Sequence, residues 1–399
     1  PPPPRSPLEA DRRQRQMCIR DSKDPLLKKE VWTTLSEYRD VFSNSTPGCT
    51  DVVELQLRLK PGTQPIRQRF RDLNPRQEAE LEKQLDTWLQ EGVIEPSDSA
   101  WSSPLVPIKK KDGSTRWAVD YRALNKCLEL DSYPLPRIQQ LVERAVGHCV
   151  YSALDAVAAY YTIRVSEDSR PCTAFTTPRG LYQWKRMPFG LATAPSVYSR
   201  FIAGVLNPLG TANLQSYLDD VLTFHQDTWA HLARLREVLE AHRRGGIRLK
   251  PAKTKLFQSK VDYLGHTLSR EGMAMQEDYI DRILDWPAPS TPKDLLALLG
   301  FFGYYRLFIP EYADLTYEMN RQKTAKTLTW TPEMEAQLLQ LKDKFRKAPI
   351  RAPPRFDLPA VFQLTTDFSS RAISAILLSL IHISEPTRPT RASRMPSSA

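Results

Sequence analysis

Two adjacent aspartates, Asp219 and Asp220, stand between two short runs of β-forming residues and constrain this chain more than any other feature. The runs 214–218 and 221–224 predict the strands of a tight hairpin, with the two aspartates as its two-residue step, because Asp tolerates unusual turn conformations. Neighbouring carboxylates repel each other, and a hard divalent cation such as Mg²⁺ or Mn²⁺ removes that repulsion. The alternative is a solvated turn, which we would favour if the pair stood alone.

A second acidic candidate, Asp155, ends the otherwise apolar run 150–154. An aspartate at the end of an apolar strand is unusual unless it binds or catalyses something. Asp155 also precedes the run 156–160, where it would serve as the N-cap of a helix. The residues themselves leave these two interpretations even.

Charge and composition narrow the class of partner. With 399 residues, the chain is long enough for two or three domains, and its net charge of +10 favours a polyanionic partner such as nucleic acid.

Five cysteines without paired spacing indicate neither a disulfide framework nor a zinc site, and they suit a reducing compartment. His266 has no second His or Cys at ligand spacing and is predicted to be a packed histidine. Apolar stretches such as 295–309 are interrupted by Gly and Arg, so no membrane span is expected.

Two segments concentrate the positive charge. Lys109–Lys111 lead into Asp112-Gly113, a hairpin signal between strand-like runs. Such a run of lysines is usually a solvated turn, but with Arg116 beside it a triphosphate or a nucleic-acid backbone becomes a reasonable partner. The tract 243–260 holds seven Lys and Arg residues among alternating apolar positions, which is the electrostatic footprint of a nucleic-acid channel.

Further elements follow from local signals. Alternation over 51–59 predicts a half-buried strand. A helix follows the loop 187–195, in which Gly190 leaves room for a close approach to the backbone. The last predicted strands are 360–367, which ends in an acid, and 373–378. Capping signals predict helices that begin at Asn74-Pro75, Asp227-Thr228, Thr291-Pro292 and Thr331-Pro332.

Taken in order, these motifs resemble the reverse transcriptases. The series is Asp155 on a strand, Phe189-Gly190-Leu191 before a helix, Tyr217-Leu218-Asp219-Asp220, a lysine-bearing basic turn and Tyr263-Leu264-Gly265. The segments most similar to the polymerase of gypsy-type LTR retrotransposons are Val119–Lys126, Leu299–Ile309 and Leu328–Thr331. The resemblance covers about residues 30–379, and several motifs in one order make it specific, whereas Tyr-Leu-Asp-Asp alone would be weak.

The resemblance implies an RNA-directed DNA polymerase that joins a primer 3′-hydroxyl to the α-phosphate of a dNTP, with two Mg²⁺ or Mn²⁺ ions. It implies that Asp155 and Asp219 bind both metals and that Asp220 is a supporting acid of the metal site. Lys253 is the nearest match to the lysine that protonates pyrophosphate, with Lys250 as a rival. The implied nucleotide-binding residues are Lys110 and Arg116 for the triphosphate, Phe189 and Gly190 for the pocket loop, and Tyr160 beneath the sugar.

The chain departs from its relatives after the first acid, where they usually have Gly-Tyr-His-Gln and this chain has Ala159-Tyr160-Tyr161-Thr162. The aromatic residue at 160 is kept, and it would clash with a ribose 2′-hydroxyl, which argues for dNTPs and against an RNA-dependent RNA polymerase. The expected partners are an RNA and DNA template-primer and dNTPs, with no membrane. The expected setting is the cytoplasm or virus-like particles, in an oligomer or a larger polyprotein.

The implied fold class is α+β, a right-hand polymerase with fingers, palm and thumb followed by the start of an RNase H-like α/β domain. RNase H activity is not expected, because Glu385 is the only acid beyond Asp367. The alternative to an active polymerase is a retroelement remnant that binds nucleic acid without catalysis, and the three aspartates argue against it. The expected segments are 1–22, disordered and adapter-derived; 23–100, N-terminal extension and start of the fingers; 101–268, fingers and palm; 269–325, thumb; 326–379, connection and truncated RNase H-like start; and 380–399, disordered and adapter-derived.

Overall fold

A computed structural model describes residues 24–109, 113, 115–348, 350–351, 362–368 and 373–379. The chain divides into two compact units, one ending at Tyr263 and the other beginning at Leu264. The predictions of disorder at 1–22 and 380–399 therefore lie outside the described residues, as does Lys110. Among the described helices, none combines the length and the apolar character needed to cross a membrane.

The strands of the first unit form two main sheets. A four-stranded antiparallel sheet has the order β11-β5-β10-β9, and a five-stranded sheet has the order β2-β8-β7-β3-β4, with β3 and β7 parallel. The strands are β1 Glu54–Leu55, β2 Ile94–Pro96, β3 Ser103–Lys109, β4 Thr115–Val119, β5 Val150–Asp155, β6 Arg164–Val165, β7 Phe175–Thr177, β8 Gly180–Trp184, β9 Leu214–Tyr217, β10 Asp220–His225, β11 Lys255–Gln258 and β12 Val261–Tyr263.

Six α-helices of the first unit cover these sheets. They are α1 Pro25–Glu37, α2 Pro75–Gln90, α3 Arg122–Cys127, α4 Ile138–Ala145, α5 Ala194–Leu206 and α6 Thr228–Arg244, among the described residues. The prediction for α2 is confirmed: Asn74 and Gln77 form a capping box, Pro75 opens the helix, and Leu81, Leu85 and Trp88 are buried. Asp227 caps α6, as predicted, by accepting from the backbone N–H of Ala230.

Aromatic packing joins α2 to the five-stranded sheet. The Trp88 ring centroid lies 4.9 Å from that of Trp184 and 6.2 Å from that of Phe175, both in edge-on geometry. All three rings are buried in one apolar core that continues beneath the four-stranded sheet. Edge-to-face pairs of this kind contribute roughly 0.5–1.5 kcal/mol beyond their burial, so this core holds the loops between the two sheets at fixed positions.

The predicted strand 51–59 is wrong in length. The alternation of burial is present, with Leu55 fully buried between exposed neighbours, but only Glu54–Leu55 pairs with another strand, parallel to β6. Further along, the backbone N–H of Leu57 donates to the side chain of Ser169, 2.9 Å away, instead of to a strand. The segment then changes partner, because Leu59 forms an isolated antiparallel bridge with Leu128, so two short pairings replace the single strand that the alternation predicted.

The second unit is largely helical. Thr291 and Asp294 form the capping box predicted for α8, and Thr331 caps α11, whose Leu338, Leu341 and Phe345 are buried as expected. His266 is buried, with Nδ1 3.0 Å from the carbonyl oxygen of Leu264, which confirms a packed histidine. The elements are β13 His266–Leu268, β14 Met273–Met275, α7 Glu277–Leu284, α8 Pro292–Tyr304, α9 Tyr312–Leu315, α10 Tyr317–Gln322, α11 Pro332–Arg346, β15 Phe362–Phe368 and β16 Ile373–Ser379.

Both of the last predicted strands are present, and they form an antiparallel pair. One detail differs: Asp367 is not the last residue of its strand, because the pairing continues through Phe368 and places Asp367 opposite Ser374. The ladder therefore extends past the acid that was expected to end it.

Candidate active site

Asp155 and Asp220 face each other across neighbouring antiparallel strands. Asp155 is the last residue of β5, Asp220 is the first of β10, and the two are direct partners in the register of the four-stranded sheet. This pairing decides between the two interpretations of Asp155 in favour of the strand end. The following turn of 3-10 helix, Ala159–Thr162, begins after Ala158, so Asp155 is not its cap.

The hairpin that carries the adjacent aspartates is present, but its loop lies one residue earlier than predicted. Tyr217 pairs with Asp220, so the two-residue loop is Leu218-Asp219 and Asp220 belongs to the strand. The residue in the left-handed backbone region is Leu218, with φ 54°, and not an aspartate. A left-handed conformation costs a non-glycine residue roughly 1–2 kcal/mol, so the hairpin holds Asp219 at its tip at the expense of local strain.

The carboxylates of this cluster repel one another. Burial, followed by the charges of Asp219 and Asp155, raises the pKa of Asp220 to about 6. Burial and the charge of Asp155 likewise raise the pKa of Asp219. Partly buried acids that destabilise each other's charged forms fit a site that receives a cation.

Lys253 supplies the nearest positive charge. Its Nζ lies 2.9 Å from Oδ2 of Asp155. The Lys253 charge acts to lower the pKa of Asp219 and of Asp220, against the larger effect of burial. Lys250 reaches the same acid only through its backbone N–H, which donates to the Asp155 carbonyl oxygen at 2.8 Å. The structure therefore brings the Lys253 side chain, and not that of Lys250, to the carboxylate cluster.

The donor set fits a hard divalent ion in its chemistry. Asp155, Asp219 and Asp220 offer carboxylate oxygens, the ligands that Mg²⁺ and Mn²⁺ prefer, and their mutual repulsion is the electrostatic condition that such an ion relieves. Within the part of the chain that is described, however, no three His, Cys, Asp or Glu side chains already converge around one point. The ammonium of Lys253 lies beside Asp155 and forms an ion pair with it.

An aromatic floor lies beside the acids. The Tyr160 ring is 5.0 Å from the Phe189 ring and 5.6 Å from the Tyr198 ring, and the charge of Asp219 contributes to the raised pKa of Tyr160 after burial. Tyr161 stacks on Trp184 at 5.4 Å and meets the Phe189 ring edge-on at 5.6 Å, so it supports the floor from the core. Of the two neighbouring tyrosines, Tyr160 is therefore the one beside the carboxylates.

Arg116 and Gly190 are two further residues that the sequence predicted to bind the nucleotide. The exposed Arg116 guanidinium lies 4.4 Å from the centroid of the Phe189 ring, a cation–π contact. Gly190 has φ 96°, and a Cβ added there would lie 3.1 Å from the carbonyl oxygen of Val119. Gly190 is thus required both by its backbone conformation and by the close approach that the sequence predicted.

Two further tyrosines lie near the acids. Tyr198 is fully buried, and the charges of Asp219 and Asp155 contribute to its raised pKa after burial. Tyr263 is buried too, with its pKa raised by burial and then by Asp220, and its hydroxyl has no hydrogen-bond partner among the described residues. The sequence analysis named Tyr263 only as part of a motif and did not single out Tyr198, so neither was predicted to lie beside an acid.

The basic tract 243–260 is not a single strand. Its first two arginines end α6, and only Lys255–Gln258 pairs within the sheet. Several of its charges are already paired: Arg243 donates to Asp40 at 2.9 Å, and Lys255 donates to Asp262 at 3.0 Å. Arg248 and Lys260 are exposed. The role of this tract as a nucleic-acid channel stays a prediction.

Comparison with known proteins identifies the segment that carries the acids. Residues 108–268 match the reverse transcriptase family, the RNA-dependent DNA polymerases. The chain is also 29% identical over 346 residues to the Tf2-3 and Tf2-4 transposon polyproteins of Schizosaccharomyces pombe. These alignments cover 86% of this chain and 26% of each polyprotein, so the chain spans about a quarter of their length.

Solved structures share the fold. The foamy viral protease-reverse transcriptase in complex with double-stranded DNA superposes with a TM-score of 0.82 at 21% identity, covering 92% of this chain and 78% of that chain. The same enzyme in complex with an RNA/DNA hybrid gives a TM-score of 0.78 at 20% identity, covering 93% of this chain and 52% of that chain. The predicted α+β fold of a right-hand polymerase is confirmed.

Proposed function

We propose that this chain is an RNA-directed DNA polymerase that adds dNTPs to a primer 3′-hydroxyl, and that it is part of the polyprotein of a gypsy-type LTR retrotransposon. The observation that carries the proposal is the pairing of Asp155 with Asp220, with Asp219 in the adjoining loop, inside the segment that matches the reverse transcriptase family. The similarity to transposon polyproteins supports the retrotransposon setting.

Asp155 and Asp219 would hold two divalent ions, with Asp220 as the supporting acid. When bound, such ions stabilise the charge on the attacking and leaving oxygens of the displacement. The chain's own contribution includes the carboxylates of Asp219 and Asp220, whose pKa values are raised by burial and by the neighbouring aspartates. Lys253 offsets part of the negative charge of the three aspartates through its ion pair with Asp155.

The incoming dNTP would lie against the aromatic floor. Arg116, exposed above Phe189, is placed to meet a phosphate, and Lys110 is proposed for the same task by its position in the basic turn. Tyr160 would lie beneath the sugar. Lys253 is the proposed donor of a proton to the leaving pyrophosphate, because its ammonium is already at the acid cluster.

The template-primer would be an RNA/DNA hybrid or a DNA duplex. The net charge of +10 supports a polyanionic partner, and the solved relatives are complexes with double-stranded DNA and with an RNA/DNA hybrid. The finer assignments are proposals of the same kind: fingers and palm over 101–268, thumb over 269–325, connection beyond, and a cytoplasmic or particle-bound location in an oligomer or polyprotein.

Primer extension tests the proposal directly. The chain is incubated with a labelled DNA primer on an RNA template and on a DNA template, with dNTPs and either Mg²⁺ or Mn²⁺. We expect extension on both templates and none when a chelator is present. Binding of the primed templates without extension under any of these conditions would replace the proposal with that of a non-catalytic nucleic-acid-binding remnant.

A further inference from the structure

One side chain outside the site described above makes two hydrogen bonds to the loop that contains Phe189 and Gly190. Asn125, on the short helix α3, accepts a hydrogen bond from the backbone N–H of Ala192 at 2.9 Å. Its Nδ2 donates to the carbonyl oxygen of Gly190, also at 2.9 Å. One amide group thus closes a bridge over three consecutive residues of the loop.

The chemistry of the two partners fixes the orientation of this amide. A backbone N–H can only donate and a carbonyl oxygen can only accept, so the reversed amide of Asn125 would set donor against donor and acceptor against acceptor. An ionised carboxylate at this position would accept from Ala192 but could not donate to Gly190. The two bonds together therefore need a side chain that both accepts and donates, as the Asn125 amide does.

The same segment supports the loop from a second direction. The Val119 carbonyl oxygen lies where it would be 3.1 Å from a Cβ on Gly190, so β4 packs directly beneath the glycine. Leu124 is buried on α3, which fixes the helix that presents Asn125. With Gly190 held from below by β4 and from the side by α3, the loop has little freedom to move.

What the bridge positions is the ring of Phe189. The centroid of that ring lies 5.0 Å from the Tyr160 ring centroid and 4.4 Å from the Arg116 guanidinium. The position of Phe189 therefore sets the distance between Tyr160 and the Arg116 cation. We infer that Asn125 is a positioning residue for the nucleotide site, acting through the 190–192 backbone on Phe189 and Arg116. This inference rests on the proposed polymerase function.

Two substitutions separate the parts of the bridge. Asn125→Ala removes both hydrogen bonds, while Asn125→Asp keeps the acceptor for Ala192 and sets a second carboxylate oxygen against the Gly190 carbonyl. A matched control is Asn320→Asp in the second unit, since Asn320 also donates to a backbone carbonyl, that of Thr316, at 3.0 Å. Each variant is measured as the full chain.

The first readout is hydrogen exchange of the Ala192 amide. Ala192 is exposed, so its N–H depends on Asn125 for protection. We expect faster exchange in Asn125→Ala, and wild-type exchange in Asn125→Asp and in the control. Unchanged exchange in Asn125→Ala would overturn the bridge itself, and this arm requires no polymerase activity.

The second readout is steady-state incorporation of one dNTP. A shift of about 1 Å in a reacting group can cost on the order of 100-fold in rate, so we expect kcat/KM for the dNTP to fall roughly 10- to 100-fold in both Asn125 variants. The affinity for primed template should stay at the wild-type value, and both variants should remain folded, with a Tm lowered modestly by the lost hydrogen bonds. The positioning role would be overturned by an unchanged kcat/KM, or by a loss of template affinity as large as the fall in kcat/KM. If the wild type extends no primer, the proposed function fails, and the exchange arm still decides whether Asn125 holds the loop.

Discussion

The Nζ atom of Lys253 lies 2.9 Å from Oδ2 of Asp155, so a cation from the chain itself already neutralises the first acid of the site. Any divalent ion that binds Asp155 competes with this ammonium. The same competition would free Lys253 for proton transfer when the site is filled. The ion pair thus links the acid cluster to the proposed proton donor.

Replacing Asp219 tests the metal assignment. Asp219→Asn should abolish primer extension while leaving the affinity for primed template nearly intact, because nucleic-acid affinity comes from Lys and Arg on phosphates. The measurements are single-nucleotide incorporation and equilibrium binding. Asp98→Asn, at an exposed position, is the matched control. Extension at the wild-type rate by the Asp219 variant would show the assignment to be wrong.

Replacing Lys253 tests the proton donor. Lys253→Met should lower the single-turnover incorporation rate by about 10²- to 10⁴-fold, the usual contribution of a general acid. Lys250→Met should retain most activity, because the Lys250 contact with Asp155 is made by its backbone. If the Lys250 variant loses the activity and the Lys253 variant keeps it, the two roles must be exchanged.

The raised pKa of Asp220 predicts a pH-dependent stability in the presence of a chelator. An acid whose pKa is raised on folding binds its proton more tightly in the native state, so the free energy of unfolding falls as pH rises from about 4 through about 6. Asp220→Asn should therefore raise the free energy of unfolding at pH 8 by roughly 1–2 kcal/mol, allowing for partial exposure. Chemical denaturation at pH 4 and pH 8 measures it. A gain that is equal at the two pH values, or one shared by Asp98→Asn, would contradict the electrostatic cause.

The salt dependence of template binding tests the basic tract. Neutralising the exposed Arg248 and Lys260 should reduce the slope of log K against log salt by roughly 0.7–0.9 for each phosphate that the variant no longer neutralises. Arg243→Ala should leave the slope unchanged, because that guanidinium is held by Asp40. An unaltered slope in the double variant would remove these two residues of the tract from the nucleic-acid surface.

Replacing Tyr160 tests sugar selection. Tyr160→Ala should raise ribonucleotide incorporation relative to deoxyribonucleotide incorporation, since a ring beneath the sugar acts by steric exclusion. The measurement is the ratio of kcat/KM for a dNTP to that for the matching rNTP. Tyr182→Ala is the control: it removes a buried aromatic stacked on Phe175 at 6.1 Å and should lower the Tm without changing the ratio. An unchanged ratio in the Tyr160 variant would contradict the gate.

Local signals predicted the elements of this fold better than the contacts between them. The N-cap of α2 at Asn74 and the capping box of α8 depend on residues within one helical turn, and both were predicted correctly. The strand at 51–59 was predicted too long, because its backbone changes partner, from β6 to the side chain of Ser169 and then to Leu128. Such partners leave no trace in the local sequence.

In the candidate site, too, local features were predicted and tertiary contacts were not. The hairpin with two aspartates was predicted from its composition, but not that Leu218 would take the left-handed conformation, because that depends on how far the ladder with β10 extends. The sequence left open whether Asp155 ends a strand or caps a helix, and its pairing with Asp220 decided for the strand end. Tyr198 and Asn125 act through tertiary neighbours, and the residues around them give no sign of it.

The direct pairing of Asp155 with Asp220 makes this site sensitive to insertions in a way that single substitutions would not reveal. Successive side chains of a strand point to opposite faces, so adding or deleting one residue within β5 or β10 would send one acid to the other face of the sheet while every residue type was kept. Length changes in the surface turns between the two strands would leave the pair intact. Among natural copies of this sequence, frame-preserving changes of length inside these two strands should therefore mark copies that have lost polymerisation.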